Sequence, residues 1–323
     1  MTDRSRMFVS QYVKDWQRAN PSKRYFTDFA GGGVLWVGAS YKWHVFTSSG
    51  TWTAPVTNAN VIVVGGGGGT GAAGGGGGAG GVRDLIAATF VVGTTYTVTV
   101  GAAGTMSNTV PTAGGNSSIT TSGATISATG GGRGGVATQA AGNGGSGGGG
   151  YLTNAGGTGN AGGYTPAEGN NASAGINSQG GASGSGAGWA SSSRVGAQGA
   201  AYGGGNRDVS GSIGAGYNLA NDLTDCPLFD NLRVPSASSQ YTNTIVENVC
   251  IAWGGMGYGY AGNQGVFGTG QGTQGGYTGG VGATYNTPVS GARAYGNGGC
   301  SGTGTYGYIG AGTGGLVVIR YAL

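Results

Sequence analysis

Four consecutive β-branched residues, Val61-Ile62-Val63-Val64, run straight into five glycines, Gly65–Gly69. An apolar run with no polar break predicts a strand buried on both faces. Glycine cannot extend such a strand, because it has no side chain to pack and the most conformational entropy to lose. The chain therefore leaves a packed β core at residue 65. Near its other end the order reverses: Gly314-Gly315 gives way to Leu316-Val317-Val318-Ile319-Arg320-Tyr321. The two apolar runs are read as core strands and as candidate neighbours. Between them lies a glycine-rich excursion that the β core closes off.

Composition decides what kind of excursion this is. Glycine supplies 81 of 323 residues, and charged residues only 7%. Disordered chains are usually charged and poor in aromatics, whereas this one carries 17 Tyr, 7 Phe and 6 Trp. The combination points to order by close backbone packing. Seven of the 14 basic residues fall in the first 42, and no lysine follows Lys42. The long remainder is nearly neutral and has no basic patch, which argues against nucleic-acid binding. The three cysteines, Cys226, Cys250 and Cys300, are odd in number, and with no apolar h-region in the first residues neither secretion by the usual signal nor a disulfide framework is expected. No apolar run is long enough to span a membrane.

Residues 5–19 are predicted to form a helix, with Phe8, Val9, Tyr12, Val13 and Trp16 on one stripe and Asn20-Pro21 as its stop. The helix either packs on its own domain or is an attachment element that docks on a larger assembly or trimerises. A short isolated helix is marginal without a partner surface, which favours attachment. Val34–Val37 is expected to be a strand. Trp43–Phe46 and Thr51–Thr53 are expected to form a hairpin through Ser48-Ser49-Gly50. Thr89–Val92 and Thr94–Val100 are further predicted strands. In the second, Tyr96, Val98 and Val100 share a buried face while Thr95, Thr97 and Thr99 look outward. Ser118–Thr120 and Thr125–Ser127 predict a hairpin around Ser122-Gly123. The expected fold is all-β, a small β-sandwich over 41–129 completed by 316–323.

Residues 130–216 and 254–315 are glycine tracts without the every-third-residue glycine of collagen. Glycine adopts an extended helix of three residues per turn that makes no internal hydrogen bonds. Several such helices can bond to one another provided no side chain holds them apart. The tracts are therefore read as a bundle of polyglycine II-like helices, with a flexible linker as the alternative. From Tyr217 to Trp253 there is no glycine at all. This island reads as an insertion projecting from the bundle.

Catalytic chemistry finds little support. His44 is the only histidine and sits in an apolar strand, where a structural role is expected. No HExxH, CxxC or P-loop occurs, and GxGxxG-like spacings carry no weight in so glycine-rich a chain. Asp222-Leu223-Thr224-Asp225 reads as a solvated loop before it reads as a calcium site. The chain is expected to be non-enzymatic and to need no cofactor or metal. What remains is a surface of Tyr and Trp among Gly, Ser, Asn and Thr, the composition of antibody binding loops. The rings either cap the bundle or bind a ligand.

His44-Val45-Phe46-Thr47-Ser48-Ser49-Gly50-Thr51-Trp52-Thr53-Ala54-Pro55, then Asn60–Gly65, then Gly314–Tyr321, resemble the edges of the glycine-rich domain of bacteriophage tail fibres and tail-tip adhesins. The resemblance implies a virion protein, made in the host cytoplasm, that recognises a bacterial surface receptor, an outer-membrane protein or a polysaccharide. It also implies other tail proteins as partners. Residues 1–40 would then attach the chain to the virion, as a monomer or a homotrimer. Receptor contact is expected on the glycine-free insertion at 217–253 and its neighbouring turns, which project from the 130–315 glycine bundle. Tyr217, Tyr241, Trp253, Tyr258 and Tyr260 are the expected receptor contacts. The competing readings are a structural spacer of the capsid or tail, which has no need of the glycine-free island, and an ice- or polysaccharide-binding protein with a flat Thr/Gly face.

Overall fold

The computed structural model describes residues 24–27, 33–38, 40–71, 74–172, 174–175, 217–218, 250–252, 295–296, 298–299 and 311–323. Among them the architecture is all-β, with two antiparallel sheets facing each other and no helix. The helix expected over 5–19 lies outside the described residues.

The first sheet has six strands in the order β1 (Arg24–Thr27), β2 (Val34–Val37), β3 (Tyr41–Phe46), β12 (Leu316–Ala322), β5 (Asn58–Val64) and β6 (Val82–Thr89). The second has four, in the order β4 (Gly50–Thr53), β7 (Thr95–Thr99), β8 (Ser117–Thr120) and β9 (Thr125–Ala128). A short pair joins β10 (Tyr217–Asn218) to β11 (Cys250–Ile251). The two apolar runs are indeed neighbours, with Val64 opposite Leu316 and Val61 opposite Ile319. Both are buried on both faces. Val61, Val63, Val317 and Ile319 point between the sheets, where they meet Phe46, Trp52, Phe90, Tyr96, Val98 and Ile119. Ile62, Val64, Leu316 and Val318 point the other way, into a second cluster with Trp43, Val45, Val82 and Ala252. Trp52 and Phe90 meet edge to face at 4.8 Å. Each fully buried ring or aliphatic side chain contributes on the order of 2–3 kcal/mol.

Two local expectations are corrected. Trp43–Phe46 and Thr51–Thr53 do not form a hairpin: β3 pairs with β2 and β12, β4 pairs with β7, and the turn at Thr47–Ser49 carries the chain from one sheet to the other. Both segments alternate correctly, but each finds its partner far along the chain. The strand expected at 89–92 lies earlier, at Val82–Thr89. Val91-Val92-Gly93 is a turn closed by Thr94 N donating to Val91 O at 3.1 Å, with Gly93 in the left-handed region at φ 79°. Its two valines are exposed because the turn faces outward. The hairpin of β8 and β9 is as expected, with Ile119 opposite Ile126. So is the outward threonine face of β7.

At one pole of the sandwich β5, β7 and β9 end, β6, β8 and β12 begin, and each junction meets a glycine segment. There the amides of 65–69 donate in rotation. Gly65 bonds Gly81, Gly66 bonds Gly115, and Gly67 bonds Thr313; then Gly68 returns to Gly78 and Gly69 to Thr112. The carbonyls of Gly66, Gly67, Gly68 and Gly69 accept from Gly131, Gly104, Gly299 and Gly134. One segment is thus bonded to six others, and it meets the same neighbour again three residues later. A Cβ at Gly66, Gly69, Gly114 or Gly130 would sit inside the backbone carbonyl of the adjoining segment. The block at 65–81 is therefore continuous with 130–149: Gly75 bonds Gly135, Gly78 bonds Gly132, and Gly149 bonds Gly76.

Candidate functional site

The glycine segments run away from the sandwich, turn and come back, so their far turns collect at one tip. Gly75 bonds Gly135 and Ser107 N donates to Thr70 O at 3.1 Å, which brings the turns near 70, 107 and 136 together. A Cβ on Gly71 would meet Val136 Cγ1 at 2.7 Å. Thr138 Oγ1 donates to Thr109 O at 2.7 Å, joining two of these turns directly.

Each turn is held by its own short polar residues. Thr112 N donates to Thr105 O at 3.2 Å and Thr105 N to Thr112 Oγ1 at 2.8 Å, which pins both ends of the 106–111 loop. Inside it Ser107 Oγ accepts from Val110 N at 3.0 Å. Val136 and Gln139 exchange two backbone bonds. Asn154 N donates to Tyr151 O at 2.9 Å, with Leu152 in the left-handed region at φ 46°. The backbone is tied down while Met106 and Val110 stand 54% exposed in the same loop. Large apolar side chains cannot enter the bonded glycine array, so they gather at its turns. Neither residue was singled out from the sequence, although the glycine-free run 105–113 around them is a usable signal.

At the opposite side of the array a single carboxylate closes the structure. Glu168 is fully buried. Its Oε2 accepts from Thr129 N at 2.8 Å, its Oε1 from Gly162 N at 3.1 Å, and its carbonyl from Val82 N at 2.9 Å. Nearby, the guanidinium of Arg83 lies 3.9 Å over the ring of Tyr164. This is a fastening between the 160–168 loop and the sandwich.

Of the expected receptor contacts, Tyr217 lies in β10 opposite Ile251, so the two ends of the glycine-free island are zipped together. Ala252, the next residue, is buried against Trp43, Val45 and Val82, and its amide bonds Tyr295 O at 2.9 Å. The island thus leaves from the outer face of the six-stranded sheet. Tyr241, Trp253, Tyr258 and Tyr260 lie outside the described residues, as do Phe8, Val9, Tyr12, Val13 and Trp16 of the expected attachment stripe. Asp222 and Asp225 lie outside them too. His44 is structural in its surroundings: Nε2 is 3.0 Å from Tyr321 Oη and the rings stack at 5.8 Å. Burial, with Lys42 adding to it, lowers its pKa to about 4, and burial raises that of Tyr321 to about 12. Both are neutral at pH 7. Among the described residues no group of His, Cys, Asp and Glu has a metal-binding arrangement, and no helix is long and apolar enough to cross a membrane.

No protein-family model matches this chain, and no characterised protein or solved structure matches it.

Proposed function

We propose that this chain is the receptor-binding adhesin of a bacteriophage tail fibre or tail tip, built on a bundle of polyglycine II-like helices. The observation that carries the reading is the rotating bond pattern of Gly65–Gly69, which returns to the same neighbour every third residue. Three residues per turn with every hydrogen bond made to a neighbour is the geometry of such a helix. Six bonded neighbours around one segment make a scaffold that loses little entropy when its turns bind, leaving more of the contact energy as affinity. Its tip presents Met106, Val110, Tyr151 and Leu152 among Thr and Asn, a mixture suited to adaptable recognition.

In this reading the receptor, an outer-membrane protein or a polysaccharide, meets the tip turns and the aromatic set Tyr217, Tyr241, Trp253, Tyr258 and Tyr260. The N-terminal stripe Phe8, Val9, Tyr12, Val13 and Trp16 joins the chain to other tail proteins. Catalysis, nucleic acid, membrane insertion and cofactors play no part.

The test is adsorption. Purified full-length protein should bind host cells and compete with the phage. Replacing all five aromatic residues by Ala, in a variant that still folds, should cut adsorption, at about 1–2 kcal/mol for each ring that is a hot spot. If adsorption is unchanged, these rings are not the contact surface. If the wild-type protein joins the particle but neither binds cells nor competes, the spacer reading replaces this one.

A further inference from the structure

The outer face of the four-stranded sheet carries hydroxyls and no charge. Thr51 and Thr53 stand on β4, Thr95, Thr97 and Thr99 on β7, Ser118 and Thr120 on β8, and Thr125 and Ser127 on β9. All seven threonines are exposed and the two serines half-buried. The register sets them in files. Thr51 lies opposite Thr97, Thr97 N donates to Thr120 Oγ1 at 3.1 Å, and Thr120 lies opposite Thr125, so four threonines cross the whole sheet in one line. Thr99, Ser118 and Ser127 form a second line beside it. Thr53 and Thr95 begin a third, their hydroxyls 2.9 Å apart.

The sequence has no Asp, Glu, Lys or Arg in residues 43–82 or 85–132, which contain all four strands, so neither this face nor any part of its sheet is charged. Threonine is a common outward residue in strands, and that accounts for some of them. It does not account for their alignment into files that run from one edge of the sheet to the other; the absence of charge accords with a chain that is 7% charged.

We propose that this face is a second binding surface, and that its ligand is a neutral polysaccharide lying across the strands. Each Thr or Ser hydroxyl offers one donor and two acceptor positions, the same inventory as a sugar hydroxyl. The threonine methyls between them meet the C–H faces of the sugar rings. Absence of charge selects a neutral chain, since a polyanion would find no cation here and a polycation no carboxylate. The four-threonine file spans roughly 14 Å at the ~4.7 Å strand spacing, enough for several consecutive sugar units.

An ice lattice is the other partner with regular hydroxyl spacing, and it fits less well. Strands in a sheet rotate by about 20–25° from one to the next, so four of them do not present a plane. The two serines also interrupt the methyl pattern. A flexible chain follows the twist where a crystal face does not. With no aromatic ring on the face, each copy binds weakly, and a particle with several copies gains by avidity.

This site is separate from the tip, and its test is separate too. Full-length protein is run in native gels containing dextran, mannan or alginate. Retardation by dextran or mannan, absent in alginate, is expected. The double substitution T97V/T120V keeps side-chain shape and β preference while removing two central hydroxyls. It should weaken retardation about tenfold, and T97V alone, which leaves the Thr97 amide bonded to Thr120 Oγ1, should weaken it severalfold without lowering the unfolding midpoint. T97K, which places a charge on the face, should do the same if the fold holds. Retardation that persists in T97V/T120V, or is absent in both neutral gels, overturns the proposal. So does inhibition of ice recrystallisation that T97V/T120V abolishes while neutral polysaccharide leaves the protein unretarded. Cell adsorption carried by the proposed receptor-binding residues would be unaffected by either result.

Discussion

Single glycines decide whether the segments beyond the sandwich can approach each other. A Cβ on Gly130 would lie inside the carbonyl of Gly114 and 2.9 Å from Gly115 O. Gly130 also donates to Asn116 Oδ1 at 2.8 Å. Gly123, in the β8–β9 turn, has nothing within 4 Å of the same position and no left-handed φ. Gly130→Ala should therefore cost about 3 kcal/mol or more, since backbone must move to admit the methyl. Gly123→Ala should stay within about 0.5 kcal/mol. Chemical unfolding of the two variants side by side checks the contrast. His44 provides a pH handle at the same scale. Its folded pKa of about 4 lies below the ordinary 6.5, so between these values the unfolded chain takes up a proton that the folded chain refuses. Stability should fall as pH drops through this window, by about 1.5 kcal/mol between pH 6.5 and 5. His44→Gln, which keeps a polar partner for Tyr321 Oη, should flatten that part of the profile in unfolding experiments.

Among the elements, β6 shows how a poor-looking strand is held. Arg83 and Asp84 break its apolar pattern, Ala87 takes a left-handed φ of 57°, and the register with β5 shifts between Ala59 and Val61. It persists because Val82 and Leu85 pack into the clusters on the sheet's two faces and because Glu168 O takes the amide of Val82. The same residue's carboxylate holds Thr129 and Gly162. Glu168→Ala should leave those two amides without their acceptor at about 1–3 kcal/mol each. Hydrogen exchange at Thr129 and Gly162 should accelerate, while the amides of β12 in the sheet centre should change little. Equal acceleration throughout would mean that the loop fastening and the sandwich unfold as one unit.

At the scale of the molecule the two poles differ. The glycine array joins the sandwich at one pole, and its far turns form the tip. Arg24 pairs with Val37, which pairs with Lys42, itself opposite Tyr321, so the chain N-terminal to Arg24 enters at the other pole. Among the described residues the sheet begins at Arg24, so Arg24–Thr27 and Val34–Val37 of the expected 1–40 attachment segment are strands of the sandwich. Removing 1–40 would delete β1 and β2 and bare the partners of Leu35 and Trp36. If the proposed attachment lies in residues 1–23, a chain starting at residue 24 should fail to join the particle, whereas one starting at 41, which lacks β1 and β2, should in addition be markedly less stable. Normal incorporation of the first truncation would place the anchor elsewhere.

Where side chains alternate or mass together, the sequence alone determined the structure. The runs Val61–Val64 and Leu316–Tyr321 could be read as neighbouring core strands because burial on both faces demands unbroken apolar residues. Tyr96 and Val98 against Thr95, Thr97 and Thr99 fixed which side of β7 faces the core. Partner choice was a different matter. Nothing local tells Trp52 to pair across the sheet with Tyr96 of β7 and not with the preceding strand β3, and Val91-Val92 has strand composition but occupies a turn closed by Thr94 N on Val91 O. The glycine segments were the least legible. A glycine run carries no side-chain pattern, so which of six neighbours receives each amide, and which turns meet at the tip, was decided only by the packing of the whole backbone.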